Sequence, residues 1–236
     1  MAETIAVDAP DWHALPATEV LRRLSTDSEG ISDDEAARRL DTYGSNRLEP
    51  PPPVAWIRIL ARQFASVVVL LLAAAAAVAL LIGDALEAGA IALVLALNSL
   101  LGFVVELRAR QAMAALRALA VPEARVIREG RRRTIAAADL VPGDVIELEA
   151  GDAVPADARI LDGVDLRAVE ATLTGESVPV AKQPEPVDAR VPLPDRRSLV
   201  HTGTTVVAGA ARAVVVSTGS DTELGQVGRL LASVEP

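Results

Sequence analysis

The sequence predicts an α+β membrane protein: a small N-terminal helical region, a transmembrane helical hairpin and a mostly β domain. Three observations carry that prediction. Two long uncharged apolar stretches occupy residues 64–82 and 88–105. Beyond residue 122 the pattern changes to short β-branched segments punctuated by Gly, Pro and Asp. Before residue 49 the apolar residues are spaced for short helices.

Composition narrows the function classes. Of 236 residues, 51% are hydrophobic and only 2% aromatic, so Ala, Leu and Val carry the apolar content. A net charge of -9, with no basic stripe interleaved with aromatics, argues against a nucleic-acid partner. Cysteine is absent, which excludes disulfides and thiolate metal sites. Lys182 is the only lysine, every other strong cation being arginine, a bias that reads as base-composition drift. The first thirty residues are acidic and polar, without the continuous apolar core of a secretory signal.

Taken in order, residues 1–49 form the N-terminal helical region. Thr18-Glu19-Val20-Leu21 begins one short helix. Ser32 followed by Asp33, Asp34 and Glu35 predicts an N-cap with an acidic first turn, and Gly44 a stop. Residues 50–63 are a linker, stiffened by Pro50 to Pro53, that leads into the first span.

Residues 64–105 form the hairpin. About 20 apolar residues are needed to cross roughly 30 Å of hydrocarbon, and each stretch meets that length. Gly83-Asp84 makes the tight acidic turn between them. Arg58 and Arg62 precede the first span and Arg108, Arg110 and Arg117 follow the second, whereas the turn offers only Asp84 and Glu87. The positive-inside rule therefore puts both outer flanks in the cytoplasm. Asn98, polar at mid-membrane, reads as an amide that bonds another helix. Residues 106–121 continue the second helix as a stalk.

Residues 122–221 form the β-rich domain. Arg125 to Arg128 and Arg132 to Ile135, with a Glu129-Gly130 turn, predict a hairpin. Pro142-Gly143 has the residues of a type II turn. Further strands are expected at 145–148, 158–161, 199–201, 205–207 and 211–216. Residues 222–236 start a helix with the apolar stripe Leu224, Val227, Leu230 and Leu231.

Six ordered motifs give the chain its strongest signal. They are Val141-Pro142-Gly143-Asp144, then Gly151-Asp152-Ala153-Val154-Pro155-Ala156-Asp157-Ala158-Arg159, then Leu173-Thr174-Gly175-Glu176-Ser177. Pro179-Val180-Ala181-Lys182, Gly203-Thr204-Thr205-Val206-Val207-Ala208-Gly209 and Thr222-Glu223-Leu224-Gly225 follow. Together they resemble the actuator domain of P-type cation-transporting ATPases. Gly30-Ile31-Ser32, Glu35-Ala36, Arg39-Leu40, Tyr43-Gly44-Ser45-Asn46 and Leu48 resemble the N-terminal domain of the same pumps. Asn98 and its neighbours look like the second membrane helix of type II members, which supports a structural role for the amide.

The chemistry of the Thr174–Ser177 segment can be read from its residue types. A carboxylate flanked by glycine can accept a proton from water and aim that water at phosphorus. Gly175 removes a side chain that would block close approach, and Thr174 and Ser177 can hold the loop or bond phosphate oxygens. The resemblance implies that Glu176 orients the water that hydrolyses a phosphoaspartate on another domain, with Thr174 and Gly175 shaping the approach. Asp144, Asp152, Asp157 and Thr204 read as structural, the first two as caps of local N–H groups after glycine. No metal ligands are expected among them.

Two departures bear on this. The family usually carries an acidic pair before the loop, whereas Val169-Glu170 stands here, which puts a local loop contact in question. No Asp-Lys-Thr-Gly-Thr phosphorylation motif occurs in the sequence. The expectation is an N-terminal piece of a pump for calcium or a related cation, as a fragment or one half of a split enzyme. Such a piece is not catalytically competent alone.

Its expected partners are the lipid bilayer and, in cis or in trans, the phosphorylation and nucleotide-binding domains and later membrane helices. No cofactor is expected on this chain, ATP and magnesium being implied for the complete pump. The expected location is the plasma membrane, multi-pass, with the N-terminus and β domain cytoplasmic. Two alternatives stand beside this: a membrane-tethered, non-catalytic binding or regulatory module, and a soluble α+β protein whose apolar helices are core.

Overall fold

The computed structural model describes residues 10–48, 67–119 and 122–234. These fall into two units, residues 10–48 with 122–234, and the helices within 67–119. The Pro50 to Pro53 linker, the flanking Arg58 and Arg62 and residues 64–66 lie outside the described residues.

The N-terminal region forms where its local signals put it. Helix α1 (Ala17–Arg23) turns Val20, fully buried, onto the sheet. Helix α2 (Asp33–Tyr43) starts with the Ser32 hydroxyl accepting the Glu35 N–H at 3.2 Å and ends at Gly44. This region is sewn onto the β domain by polar contacts. Asn46 Nδ2 donates to the carbonyls of Ala137 and Pro155, both at 2.9 Å, and its Oδ1 accepts the Gly219 N–H at 2.8 Å. Arg39 donates to the Pro142 carbonyl at 2.8 Å.

In the second unit, helix α3 (Val67–Ile82) and helix α4 (Ala85–Leu119) are joined by the expected tight turn. The Gly83 N–H bonds Leu80 O at 3.1 Å and the Asp84 N–H bonds Ala79 O at 2.9 Å, the paired closure of a Schellman motif. Asp84 then caps α4, its carboxylate accepting the Glu87 N–H at 3.0 Å. Among the described residues one helix is long and apolar enough to cross a membrane, Ala85–Ala109, with mean hydropathy 2.3. The 16 described residues of α3 rise about 24 Å along the helix axis. Asn98 is exposed on this helix pair, and the adjacent Ser99 is the polar side chain that is buried. The amide therefore does not supply the packing bond between these two helices.

Among the described residues seven strands build one antiparallel sheet: β1 (Glu123–Arg128), β2 (Arg131–Ala136), β3 (Val145–Glu149), β4 (Asp157–Val169), β5 (Val180–Ala181), β6 (Leu199–Val200) and β7 (Thr205–Ser217). The order is β2-β1-β3-β7-β4-β5, with β6 also on β4. Alternation along β7 explains its unbroken apolar run. Ala213 and Val215 enter the main core with Val126, Ile146 and Ile160, while Val214 and Val216 meet α1 on the opposite face. Being buried on both faces, residues 213–216 have no polar side to show.

Two strands differ from the sequence expectation. β4 runs to Val169, far beyond the expected 161, and passes through Asp165 in the left-handed region. The expected pair 205–207 and 211–216 is one strand, continuous through Gly209 at φ 76°. Bulges let the two long strands stay paired across these turn-like residues. A Cβ at Gly209 would sit 2.3 Å from the Val164 carbonyl oxygen, so the ribbon closes only over glycine. Pro142-Gly143 turns as expected, with Asp144 N–H bonding Val141 O at 3.1 Å and Gly143 at φ 98°.

Candidate functional site

Val169 ends β4, and the chain then makes an excursion before returning as β5, whose Val180 and Ala181 pair with Ala168 and Arg167. The excursion begins with a single helical turn, α5 (Ala171–Thr174). The Glu170 carbonyl accepts the N–H groups of Leu173 and Thr174, both at 2.9 Å, and the Thr174 hydroxyl at 3.1 Å. Gly175, left-handed at φ 78°, stops the turn with its N–H on Ala171 O at 2.9 Å. The Glu176 N–H then donates back to the Thr174 hydroxyl at 3.2 Å. Thr174 thus holds the loop, and Glu176 and Ser177 are exposed beyond it. A Cβ at Gly175 would meet nothing within 4 Å, leaving that side open to an approaching group.

The base of the excursion is charged and dry. Glu170 is 1% exposed and Lys182 8%, and the ammonium lies 2.5 Å from a Glu170 carboxylate oxygen. Burial pulls the Lys182 pKa below its ordinary value, and Glu170 offsets part of that pull. Sequence reasoning treated Lys182 as the end of a motif and Glu170 as the remnant of an acidic pair. The signal that could have joined them was the single lysine in an arginine-only background.

A second set of contacts ties the loop to helix α6 (Glu223–Val234). Thr172 donates to the Gly203 carbonyl at 3.0 Å, and a Cβ at Gly203 would meet Leu224 Cδ2 at 2.8 Å. Asp157 accepts the Thr202 N–H with one oxygen and the Glu223 N–H with the other, each at 2.8 Å. The buried His201 ring places Nδ1 3.7 Å from the same carboxylate.

The other motif acids lie elsewhere in the fold. Asp144 caps the Val141 N–H at 3.0 Å and pairs bidentately with Arg128, 2.8 Å per bond. Asp152 caps the Glu149 N–H at 2.7 Å and takes Arg125 at 2.5 Å. Thr204 is buried and donates to His201 O at 2.6 Å. The two arginine partners were missed because each is brought in from β1, well away in sequence. Among the described residues no group of three or more His, Asp or Glu side chains is placed to hold a metal ion.

Most of the chain is similar to known proteins. Residues 118–232 match the P-type ATPase actuator domain, and residues 12–79 match the cation transporter/ATPase N-terminus. The "Probable cation-transporting ATPase F" of Mycobacterium tuberculosis is 38% identical over 224 residues, 94% of this chain and 25% of the relative. A calcium-transporting ATPase of Listeria monocytogenes is 37% identical over 219 residues, 93% of this chain and 25% of the relative. A sodium/potassium exporting P-type ATPase of Schizosaccharomyces pombe is 37% identical over 207 residues, 86% of this chain and 20% of the relative. The chain thus spans about a quarter of the length of the first two relatives. An N-terminal cation-transporter segment followed by an actuator domain of this build places the chain in the P-type cation-transporting ATPase family, whose N-terminal portion it matches.

Proposed function

We propose that this chain serves as the N-terminal part of an ATP-driven cation pump, with Glu176 orienting the water that hydrolyses an aspartyl phosphate carried outside these residues. The observation that carries the reading is the build of the loop. Glu176 stands exposed after a fixed turn, and the Gly175 side is open. A carboxylate so placed can take a proton from water as that water attacks phosphorus, a contribution of about 10²–10⁴-fold. The phosphoaspartate splits a difficult transfer into two steps, and this loop acts on the second.

ATP and magnesium belong to the complete pump. The described residues supply no cluster for the metal, and no step here runs through it. Calcium or a related cation is the proposed cargo, supported by the names of bacterial relatives, while the yeast relative is named for sodium and potassium. The proposed setting is the plasma membrane, with α3 and α4 as a multi-pass hairpin and the N-terminal region and β domain cytoplasmic. The length and hydropathy of Ala85–Ala109 and the arginines beyond its end support it.

The decisive experiment pairs the chain with the phosphorylation-domain portion of a related pump and replaces Glu176 with Gln. Phosphoenzyme formed from ATP should accumulate, and its decay should slow by about 10²-fold or more. Unchanged turnover would sink the reading in favour of a non-catalytic module. Membrane fractionation tests the setting: recovery in the soluble fraction without detergent removes the hairpin from the proposal.

A further inference from the structure

We propose that Glu170 and Lys182 are positioning residues, a buried ion pair that clasps the neck of the 171–179 excursion and fixes the direction in which Glu176 is presented. The inference rests on reading that excursion as the hydrolytic loop.

Three observations lead to it. First, Glu170 acts at both its ends. Its carbonyl organises α5 through Leu173, Thr174 and the Thr174 hydroxyl, while its carboxylate meets Lys182 at 2.5 Å. Any shift of Glu170 therefore moves the turn that sets Thr174, and through the Thr174 hydroxyl the Glu176 N–H. Second, Lys182 directly follows the returning strand, its N–H bonded to Leu166 O at 2.9 Å, beside the two-residue pairing of β5 with β4. So short a ladder is a weak closure for an eleven-residue gap between Glu170 and Lys182. The ion pair closes that gap at its base.

Third, the pair is an expensive way to fill a core. Buried ion pairs are often no better than apolar residues of the same volume, whereas removing one partner strands a charge. Burial does press Lys182 toward its neutral form, and Glu170 opposes that. What the pair offers over two apolar side chains is a fixed neighbour: neither buried charge can leave the other without being stranded, so the two ends of the excursion stay together.

The chain provides its own probe. Lys182 is the only lysine, so ¹⁵N-lysine labelling yields a single side-chain signal. In the full chain in detergent at neutral pH, that signal should be a protected ammonium that shifts on Glu170→Gln. A freely exchanging, solvent-like signal would overturn the clasp.

Amide exchange gives the second readout. Glu170→Gln and Lys182→Met should each speed exchange at Leu173, Thr174, Gly175 and Glu176 by tenfold or more, with β3 and β7 amides unchanged. The double variant should be no faster than the worse single, because the two act as a unit. Lys182→Arg should restore most of the protection. If loop and sheet amides change together, if the loop does not change, or if the single effects multiply, the pair is only core filling. Should Lys182→Met fail to fold, Glu170→Gln and the lysine signal decide alone. None of these readouts needs phosphoenzyme, so a clasp that fails and a Glu176 reading that fails give separate signatures.

Discussion

Asp157 bridges two backbone amides that are 21 residues apart: its carboxylate caps Glu223 at the first turn of α6 and holds the Thr202 N–H, each at 2.8 Å. The Thr202–Gly203 turn in turn receives Thr172 from α5. One buried carboxylate thus links the last helix to the turn that leads into Glu176.

Replacing Asp157 with Ala should strand both amides. Hydrogen bonds to a charged group contribute about 1.5–3 kcal/mol each, so a loss of at least ~3 kcal/mol is expected, and Asp157→Asn should cost less. Amide exchange at Thr202 and Glu223 reads the effect directly. An Ala variant whose exchange at those two sites matches the parent would show that the bridge is idle.

Arg159 is a buried cation that forms no salt bridge among the described residues, the Glu185 charge offsetting part of its burial. It donates to Ile160 O at 2.5 Å, Pro184 O at 2.8 Å, Leu15 O at 3.0 Å and Ser198 O at 3.2 Å, and burial lowers its pKa to about 10. At neutral pH it keeps its charge. Arg159→Met removes the guanidinium from these carbonyls, of which Ser198 O keeps the Ile160 N–H at 3.0 Å, and should cost on the order of 2–4 kcal/mol. Because Leu15 precedes α1, limited proteolysis should cut first near residues 15–24. Cleavage that starts elsewhere, with α1 still protected, would contradict this.

Glu19 offers a pH test. Hydrogen bonds from Arg22 and Arg23 lower its pKa from 4.5 to about 2 in the folded chain. A carboxylate depressed on folding adds stability above its unfolded pKa and loses it as pH falls through the folded value. Because both arginines lie on α1 itself, the helicity of α1 should weaken as pH falls from about 4.5 to 2. Carbon-detected titration of the Glu19 carboxyl checks the premise, and a midpoint near 4.5 would refute it.

Two glycines separate conformation from crowding. Gly175 and Gly209 share a positive φ, yet a Cβ at Gly175 meets open space while one at Gly209 lies 2.3 Å from backbone. Gly175→Ala should cost about 1 kcal/mol of backbone strain, and Gly209→Ala distinctly more, because β4 and β7 must part. Thermal unfolding of the two variants side by side tests the order, and equal losses would contradict the crowding argument.

The sequence by itself determined whatever depends on neighbours along the chain. Ser32 followed by acids caps α2, Pro142-Gly143 turns, and Arg125 to Ile135 folds back as a hairpin because these choices close within a few residues. The uncharged runs give apolar helices, and the motif order names the family. Only the tertiary structure decided what depends on distant partners. Asp165 and Gly209 read locally as breaks, yet long-range pairing carries both strands through them. Asp157 was recognisable as structural, but its two amides come from other parts of the chain. Glu170 and Lys182 each stand out in the sequence, but nothing there joins them, and burial against each other makes them one charged unit. Residue identity supplies each group's chemistry; the fold sets its distance and its dielectric, and those decide what the chemistry acts upon.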